Sequence, residues 1–257
     1  MSAPAGPRIE GLYRYPVKGL SPEPMGAVDL EVGATMPFDR AYAIENGPGR
    51  FDPAAPRHLP KISFLMLMRD ERLASLETRF DETTETLTIL RDGKQVARGQ
   101  LTTPIGRQMI EQFMAAFMQA SLRGAPKVVM APGHSFSDVA PKCLHIINLA
   151  SLRELERVAG RELDPLRFRP NVIIDGVPAW AELGWLGKQL QLGGLTASVF
   201  HRTQRCEATN VDPKTAQRNT AIPQLLQRTL GHSDFGVYAK VKSAGRMAVG
   251  DAVAIGA

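Results

Sequence analysis

Over the first ninety or so residues the apolar positions come in short runs, with glycine, proline or aspartate between them, and that punctuation restricts this part of the chain to strands. The runs Arg8–Tyr15, Ala27–Val32, Ala41–Glu45, Ile62–Arg69 and Thr86–Leu90 read as five strands. Asp92-Gly93 after the last of them is a tight hairpin turn. Between Asn46 and Pro60 lie Asn46-Gly47-Pro48 and three further prolines, so this stretch reads as a long functional loop or flap. The period changes at Arg107–Leu122, where Ile110, Phe113, Met114 and Phe117 fall at helical spacing and Gly124 is placed to end the helix. The face carrying Met109, Met114 and Met118 reads as core packing.

The second half alternates strands and short helices. Val128–Met130, Leu144–Leu149, Asn171–Asp175, Phe235–Val241 and Ala252–Ile255 read as strands, and Leu190–Phe200 as a hairpin turning at Gly193-Gly194. Ser151–Ala159 reads as a helix opened by the capping box Ser151-x-x-Glu154 and stopped at Gly160. Ile222–Leu230 reads as another, with Pro223 near its start and Gly231 at its end.

A chain of 257 residues with 44% hydrophobic and 22% charged residues can bury a core without disulfides or a structural metal. Its two cysteines, Cys143 and Cys206, fit a reducing compartment. Met1–Pro7 lacks the basic and apolar segments of a signal peptide, and the apolar run Phe64–Met68 is far too short to span a bilayer, so a cytoplasmic protein with no membrane partner is expected. The net charge of +5 is dispersed and no strand carries clustered aromatics, which argues against nucleic acid and leaves a small phosphate-bearing ligand open.

No P-loop, GxGxxG, HExxH or CxxC is present, and Gly133–Ser137 lacks the last glycine of a nucleophile elbow. The five histidines, His58, His134, His145, His201 and His232, show no ligand spacing and read as surface or loop residues. The densest segment is Arg205 to Thr215, which reads Arg-Cys-Glu-Ala-Thr-Asn-Val-Asp-Pro-Lys-Thr. A guanidinium beside a thiol favours the thiolate, which is both nucleophile and soft metal ligand. Thr209 and Asp212-Pro213 form a turn that can fix its direction. On the residues alone a structural cysteine remains open, because free cysteines are commonly buried and inert. In Arg167-Phe168-Arg169-Pro170-Asn171, strand alternation would send both arginines to one face, where they could grip one anion; an exposed pair is the alternative. Lys18, after Tyr15-Pro16-Val17, projects from a rigid turn in the manner of a phosphate contact.

Taken in order, Tyr15-Pro16-Val17-Lys18, Phe38-Asp39-Arg40, Arg167 to Asn171, Arg205 to Thr215, Phe235-Gly236-Val237-Tyr238 and Val249-Gly250-Asp251 resemble a MOSC protein with a MOSC N-terminal β-barrel domain, the group that includes the mitochondrial amidoxime-reducing component. The resemblance implies an α+β, β-barrel-dominated fold, with an N-terminal β-barrel-like domain over 1–122 and a MOSC domain with short helices over 123–257. It implies the pterin form of the molybdenum cofactor, with Cys206 as metal ligand and Lys18, Arg40, Arg169, Asn171, Arg205 and Thr209 as cofactor-binding residues. Asp138, in Ser137-Asp138, joins Cys206 as a catalytic candidate. The implied reaction is reduction of an N-hydroxylated small molecule. Its electrons come from a separate donor protein of the reductase, ferredoxin or cytochrome b5 type, since no ferredoxin-like cysteine set follows.

The sequence departs from that pattern at Gly19, often serine in relatives, at Val139, often threonine, and at Ala216, often glycine. The flap from Phe51 to Lys61 replaces the usual Thr-Ala-Arg segment. Two other readings remain: a sulfur carrier or transferase using a Cys206 persulfide, and non-catalytic binding of the cofactor or another anionic partner.

Overall fold

The computed structural model describes residues 6–47 and 49–256. The expected absence of a signal peptide therefore falls partly, and the expected proline at Pro48 wholly, outside the described residues.

The strands in chain order are β1 (Arg8–Arg14), β2 (Glu23–Met25), β3 (Ala27–Leu30), β4 (Ala43–Glu45), β5 (Glu77–Asp81), β6 (Thr86–Arg91), β7 (Lys94–Gln100), β8 (Lys127–Val129), β9 (Leu144–Asn148), β10 (Val172–Asp175), β11 (Gln189–Leu192), β12 (Leu195–Gln204), β13 (Asp234–Ser243), β14 (Gly245–Ala248) and β15 (Val253–Ile255). The helices are α1 (Pro104–Phe117), α2 (Leu149–Ala159) and α3 (Ile222–Leu230). An 8-stranded sheet runs in the order β15-β11-β12-β13-β9-β10-β1-β2. It curls until its ends meet: Ile9 N donates to Asp251 O at 2.9 Å and Val253 N to Pro7 O at 2.8 Å. Closure gives a barrel-like sheet and covers a strand edge that would otherwise be open to pairing.

Inside the curl lie Ile9, Leu12, Ile146, Val172, Ile174, Val199 and Val237. Ile147, Ile173, Phe168 and Phe235 point outward and are covered by Leu152 and Leu155 of α2 and Ile222 and Leu226 of α3. Burial on both faces explains why β10 reads Val-Ile-Ile without polar alternation. A second core joins Ile89, Leu87 and Phe80 of the β5-β6-β7 sheet to Ile110 and Met114 of α1 and to Tyr42 and Val128. Strand pairing crosses the 122/123 boundary expected from the helix: β1 pairs with β10, β4 with β8 and β3 with β14.

Several local expectations are corrected. Ile62–Arg69 is not a strand; after a 3-10 turn at Lys61–Ser63 and one bridge from Phe64 to Glu45, it runs as turns that seat Phe64 and Leu65 in two different cores. Helix α1 starts earlier, at Pro104, because the Thr103 hydroxyl accepts from Gly106 N, and it ends at Phe117 with Met118, not Gly124, beyond it. Met114 and Met118 are core, but Met109 is half exposed. Helix α2 is capped by Asn148, whose side chain accepts from Ala150 N, so the Ser151 capping box does not form. The Ser151 hydroxyl is buried instead and donates to Glu182.

Candidate functional site

The residues expected to act together converge on a cleft of about 770 Å³ at the mouth of the curled sheet, where Lys18, Arg40, Asp138, Arg169, Asn171, Arg205 and Cys206 all contribute to the lining. Thr209 is not part of that lining. It is fully buried beneath it, and both its backbone N–H and its hydroxyl donate to Cys206 O, at 3.1 and 2.9 Å. Cys206 is thereby anchored as the residue leading into the 3-10 turn Glu207–Asn210, with its side chain half-buried in the cleft.

Each basic side chain arrives by a distinct local device. Beyond β1 the segment Tyr15–Lys18 runs beside residues 40–42: Arg40 N donates to Tyr15 O at 2.7 Å and Lys18 N to Tyr42 O at 2.8 Å. Phe38 and Arg40 both take left-handed backbone conformations, φ 59° and 52°, which turn the Arg40 side chain back over the Tyr15 ring, 4.5 Å from its centroid. Gly19 follows Lys18 at φ +84°, and a Cβ there would meet Leu65 O at 2.9 Å. Glycine at this position is thus required by the close approach of the Leu65 and Met66 backbone.

Arg169 is also left-handed, φ 51°, after the 3-10 turn Pro165–Phe168. This corrects the expectation of strand alternation, and the two arginines part company. Arg169 lies over the other side of Tyr15, 4.1 Å from its centroid, and donates to Leu20 O at 2.8 Å. Arg167, whose side chain is 1% exposed, turns away to an ion pair with Asp212 at 2.7 Å and donates to Asn219 Oδ1 and Asn210 O at 2.6 and 3.1 Å. Asn171 is committed as well: its Oδ1 accepts from His145 N and its Nδ2 donates to Tyr13 O.

The charges do not balance. Lys18 pairs with Asp138 and also donates to Phe136 O, and Arg40 pairs with Asp39. Arg169 and Arg205 have no carboxylate partner among the described residues. One nitrogen of each, Arg169 Nη2 and Arg205 Nε, is buried without any hydrogen-bond partner. Burial pulls Arg169 down to about 10 and also lowers Arg205. Partly buried guanidinium groups without a counter-charge, each with a buried nitrogen unpartnered, are costly. A cleft that keeps two of them is built for an anion that accepts several hydrogen bonds.

At Asp138, partial desolvation opposes the charge, and the Lys18 ammonium more than offsets it, holding the carboxyl well below the usual carboxylate range. Burial pushes the Tyr238 hydroxyl, which also lines the cleft, up to about 12. Cys143 is buried and lines the cleft too; burial pushes its thiol up to about 12. The raised thiol stays protonated near neutral pH and so holds little thiolate, the form that attacks. A small maleimide is expected to label Cys206 in the folded, cofactor-free chain and Cys143 only after denaturation; peptide mass mapping that finds Cys143 modified first would overturn this.

Several contributors were not anticipated. His145, read as a surface or loop residue, is 4% exposed on β9 and lines the cleft. Met66, Leu67 and Met68, in the run expected to be a strand, form the opposite wall, and Lys61 reaches in from the flap. Arg218 straps that wall to the cysteine turn: it donates to Leu67 O, Met68 O and Glu207 O and pairs with Glu71. No period or motif marks these residues; only the tertiary fold brings them together.

A protein-family model described as MOSC domain matches residues 132–254. Mitochondrial amidoxime-reducing component 1 from Homo sapiens is 28% identical over 131 residues, 46% of this chain and 38% of that protein. Molybdenum cofactor sulfurase from Bos taurus is 32% identical over 106 residues, 36% of this chain and 12% of that protein. The chain thus spans less than half the length of these curated relatives. Among solved structures, the YUAD protein from Bacillus subtilis aligns over 97% of this chain and 94% of its own, at 14% identity and a TM-score of 0.45. No helix among the described residues is long and apolar enough to cross a membrane.

Proposed function

We propose, from the match of residues 132–254 to the MOSC domain, that the chain is an oxidoreductase that binds the molybdenum cofactor in the cleft between Lys18 and Cys206 and reduces N-hydroxylated compounds. The observation that carries the reading is the pair of half-buried arginines, Arg169 and Arg205, each with one buried, unpartnered nitrogen beside a half-buried cysteine. A pterin cofactor with a phosphate and a thiolate-seeking metal matches that donor set: guanidinium forks for the phosphate, a soft thiolate for the metal. Lys18, Arg40, Arg169 and Arg205 would hold the anionic parts, and Cys206 would be the protein's ligand to the metal.

The bound cofactor would supply the two-electron redox chemistry. Overall, the N–O bond of an N-hydroxy group breaks as the group takes up two electrons and two protons, leaving an N–H group and water. That stoichiometry needs an external electron donor; a protein of the reductase, ferredoxin or cytochrome b5 type fits. The chain's own residues orient and exclude. Thr209 fixes the Cys206 carbonyl, and with it the direction of the thiol. Asp138, kept ionised by Lys18, accepts hydrogen bonds and holds Lys18 but carries no proton to give at neutral pH. Tyr238, pushed up to about 12, keeps its O–H on the cleft wall at neutral pH.

Protein from a cofactor-competent host is expected to contain molybdenum and pterin near one per chain and to reduce an amidoxime with a chemically reduced mediator. Metal and pterin far below that level would remove the proposal. The match to molybdenum cofactor sulfurase favours a second reading, in which Cys206 carries a persulfide. Cyanide-releasable sulfur on Cys206 in metal-free protein would select it.

A further inference from the structure

We propose that His145 is the positioning residue of the arginine pair: a neutral imidazole whose Nε2 accepts from Arg205 and whose Nδ1–H donates to the Arg169 carbonyl, so that one ring aims the Arg205 guanidinium at a bound phosphate and fixes the backbone from which the Arg169 side chain leaves. The inference rests on the reading of Arg169 and Arg205 as an anion clamp and adds a residue to it.

The ring lies between the two arginines. His145 Nε2 is 3.3 Å from Arg205 Nη1, and Nδ1 is 3.3 Å from Arg169 O. A guanidinium can only donate and a carbonyl can only accept, so these two contacts favour the tautomer with the proton on Nδ1, against a weaker pull from the Phe235 backbone. The other tautomer sets a lone pair against the Arg169 carbonyl and an N–H against the guanidinium. A protonated ring would add a third charge to Arg205 and Arg40. Burial, with Arg205 next in effect, lowers the imidazole well below its ordinary value, in keeping with the neutral form.

The surroundings make room for this ring. Gly236 on β13 is at φ +79°, and a Cβ there would lie 2.9 Å from His145 Nε2 and 2.5 Å from Ile146 O. The glycine of Phe235-Gly236-Val237-Tyr238 is therefore needed for the imidazole to reach Arg205. The His145 backbone is locked in register, its N–H donating to Asn171 Oδ1 and its carbonyl accepting from Asn171 N at 2.8 Å. Arg205 also donates to Phe168 O at 2.8 Å, so its plane is set from two sides while Nε stays free. Arg169 takes a left-handed conformation that an arginine seldom adopts, and the imidazole bond to its carbonyl is one of the contacts that hold it there.

The test compares wild type with His145→Phe and His145→Gln as full-length, cofactor-free protein, with inorganic phosphate as the probe in titration calorimetry. Glutamine can place an oxygen acceptor near the Nε2 position, whereas phenylalanine keeps the ring without the acceptor. Loss of the Arg205 contact is expected to weaken phosphate binding about tenfold in His145→Phe, and His145→Gln should recover most of it. A residue that merely fills the core would not be rescued by glutamine. In wild type at pH 7, nitrogen NMR of the side chain should show a neutral ring protonated on Nδ1. The inference is overturned if His145→Phe binds phosphate like wild type, if glutamine does no better than phenylalanine, or if NMR finds the proton on Nε2 or on both nitrogens. Wild type that binds no phosphate would remove the clamp itself, whereas binding that is indifferent to residue 145 removes only the role of His145.

Discussion

Cys206→Ala protein is expected to carry no molybdenum and to show only background reduction of an amidoxime, while melting within about 2–4 °C of wild type. The small thermal effect follows from the structure: the thiol is half exposed, and the anchoring bonds from Thr209 go to the Cys206 carbonyl, which alanine retains. Some pterin is expected to remain, because Lys18, Arg40, Arg169 and Arg205 are untouched. Metal analysis and pterin fluorescence on the same preparation separate the two parts. Turnover equal to wild type would end the reading of Cys206 as the essential ligand. A melting temperature lowered by ten degrees or more would instead make it a structural cysteine.

The second large effect concerns two arginines that are two residues apart and do different work. Arg167→Ala is expected to cost about 3 kcal/mol of stability, because it leaves Asp212 and the Asn210 carbonyl without their buried partner. For a chain of this size that is a fall in melting temperature of about 6–12 °C. Part of the penalty is moderated at Asp212, which keeps its bonds from Lys214 N and Asn219 Nδ2. Arg169→Ala should do the reverse. It relieves an unbalanced buried charge, so the fold is little affected, while cofactor retention weakens about ten- to a hundredfold with the loss of a charge-assisted hydrogen bond. Arg169→Lys should recover only part of this, since an ammonium lacks the guanidinium fork. Side-by-side melting curves and cofactor content after dialysis decide the matter. An Arg167→Ala protein as stable as wild type, or an Arg169→Ala protein that keeps its full pterin content, contradicts the assignment.

These two arginines also mark where the sequence stops being legible. Elements with a strong local signature were readable: α3 has its early proline and its terminal left-handed Gly231, the hairpin of β11 and β12 has Gly193-Gly194, and β10 has a run of β-branched residues. The cysteine, the lysine and Arg40 were marked by the motifs around them. Side-chain direction in irregular segments was not. Arg167-Phe168-Arg169 looks like an alternating strand, but Asp164 caps a 3-10 turn there by accepting from Leu166 N, and the turn sends its two arginines apart. Ile62–Arg69 is apolar because it bridges two cores and walls the cleft, a tertiary reason with no periodic trace. β7 was hidden for the opposite reason: Lys-Gln-Val-Ala-Arg-Gly-Gln is almost wholly exposed and its pairing comes from the turn before it. A buried histidine such as His145 cannot be told from a surface one until its neighbours are known.

The contacts that shape the cleft join residues very far apart along the chain. Lys18 meets Asp138 across 120 positions, Arg169 meets Leu20 across 149, and Arg218 meets Leu67 across 151. Closing such long loops is slow and comes late in folding. During synthesis the Leu20 carbonyl must wait for Arg169, made much later, and the strap to Leu67 cannot form until the ribosome has passed the Arg218 codon. A ligand that needs this cleft would therefore be loaded only after these distant segments have met. Its binding energy would then act as a brake on unfolding of the whole protein rather than as a guide to its folding.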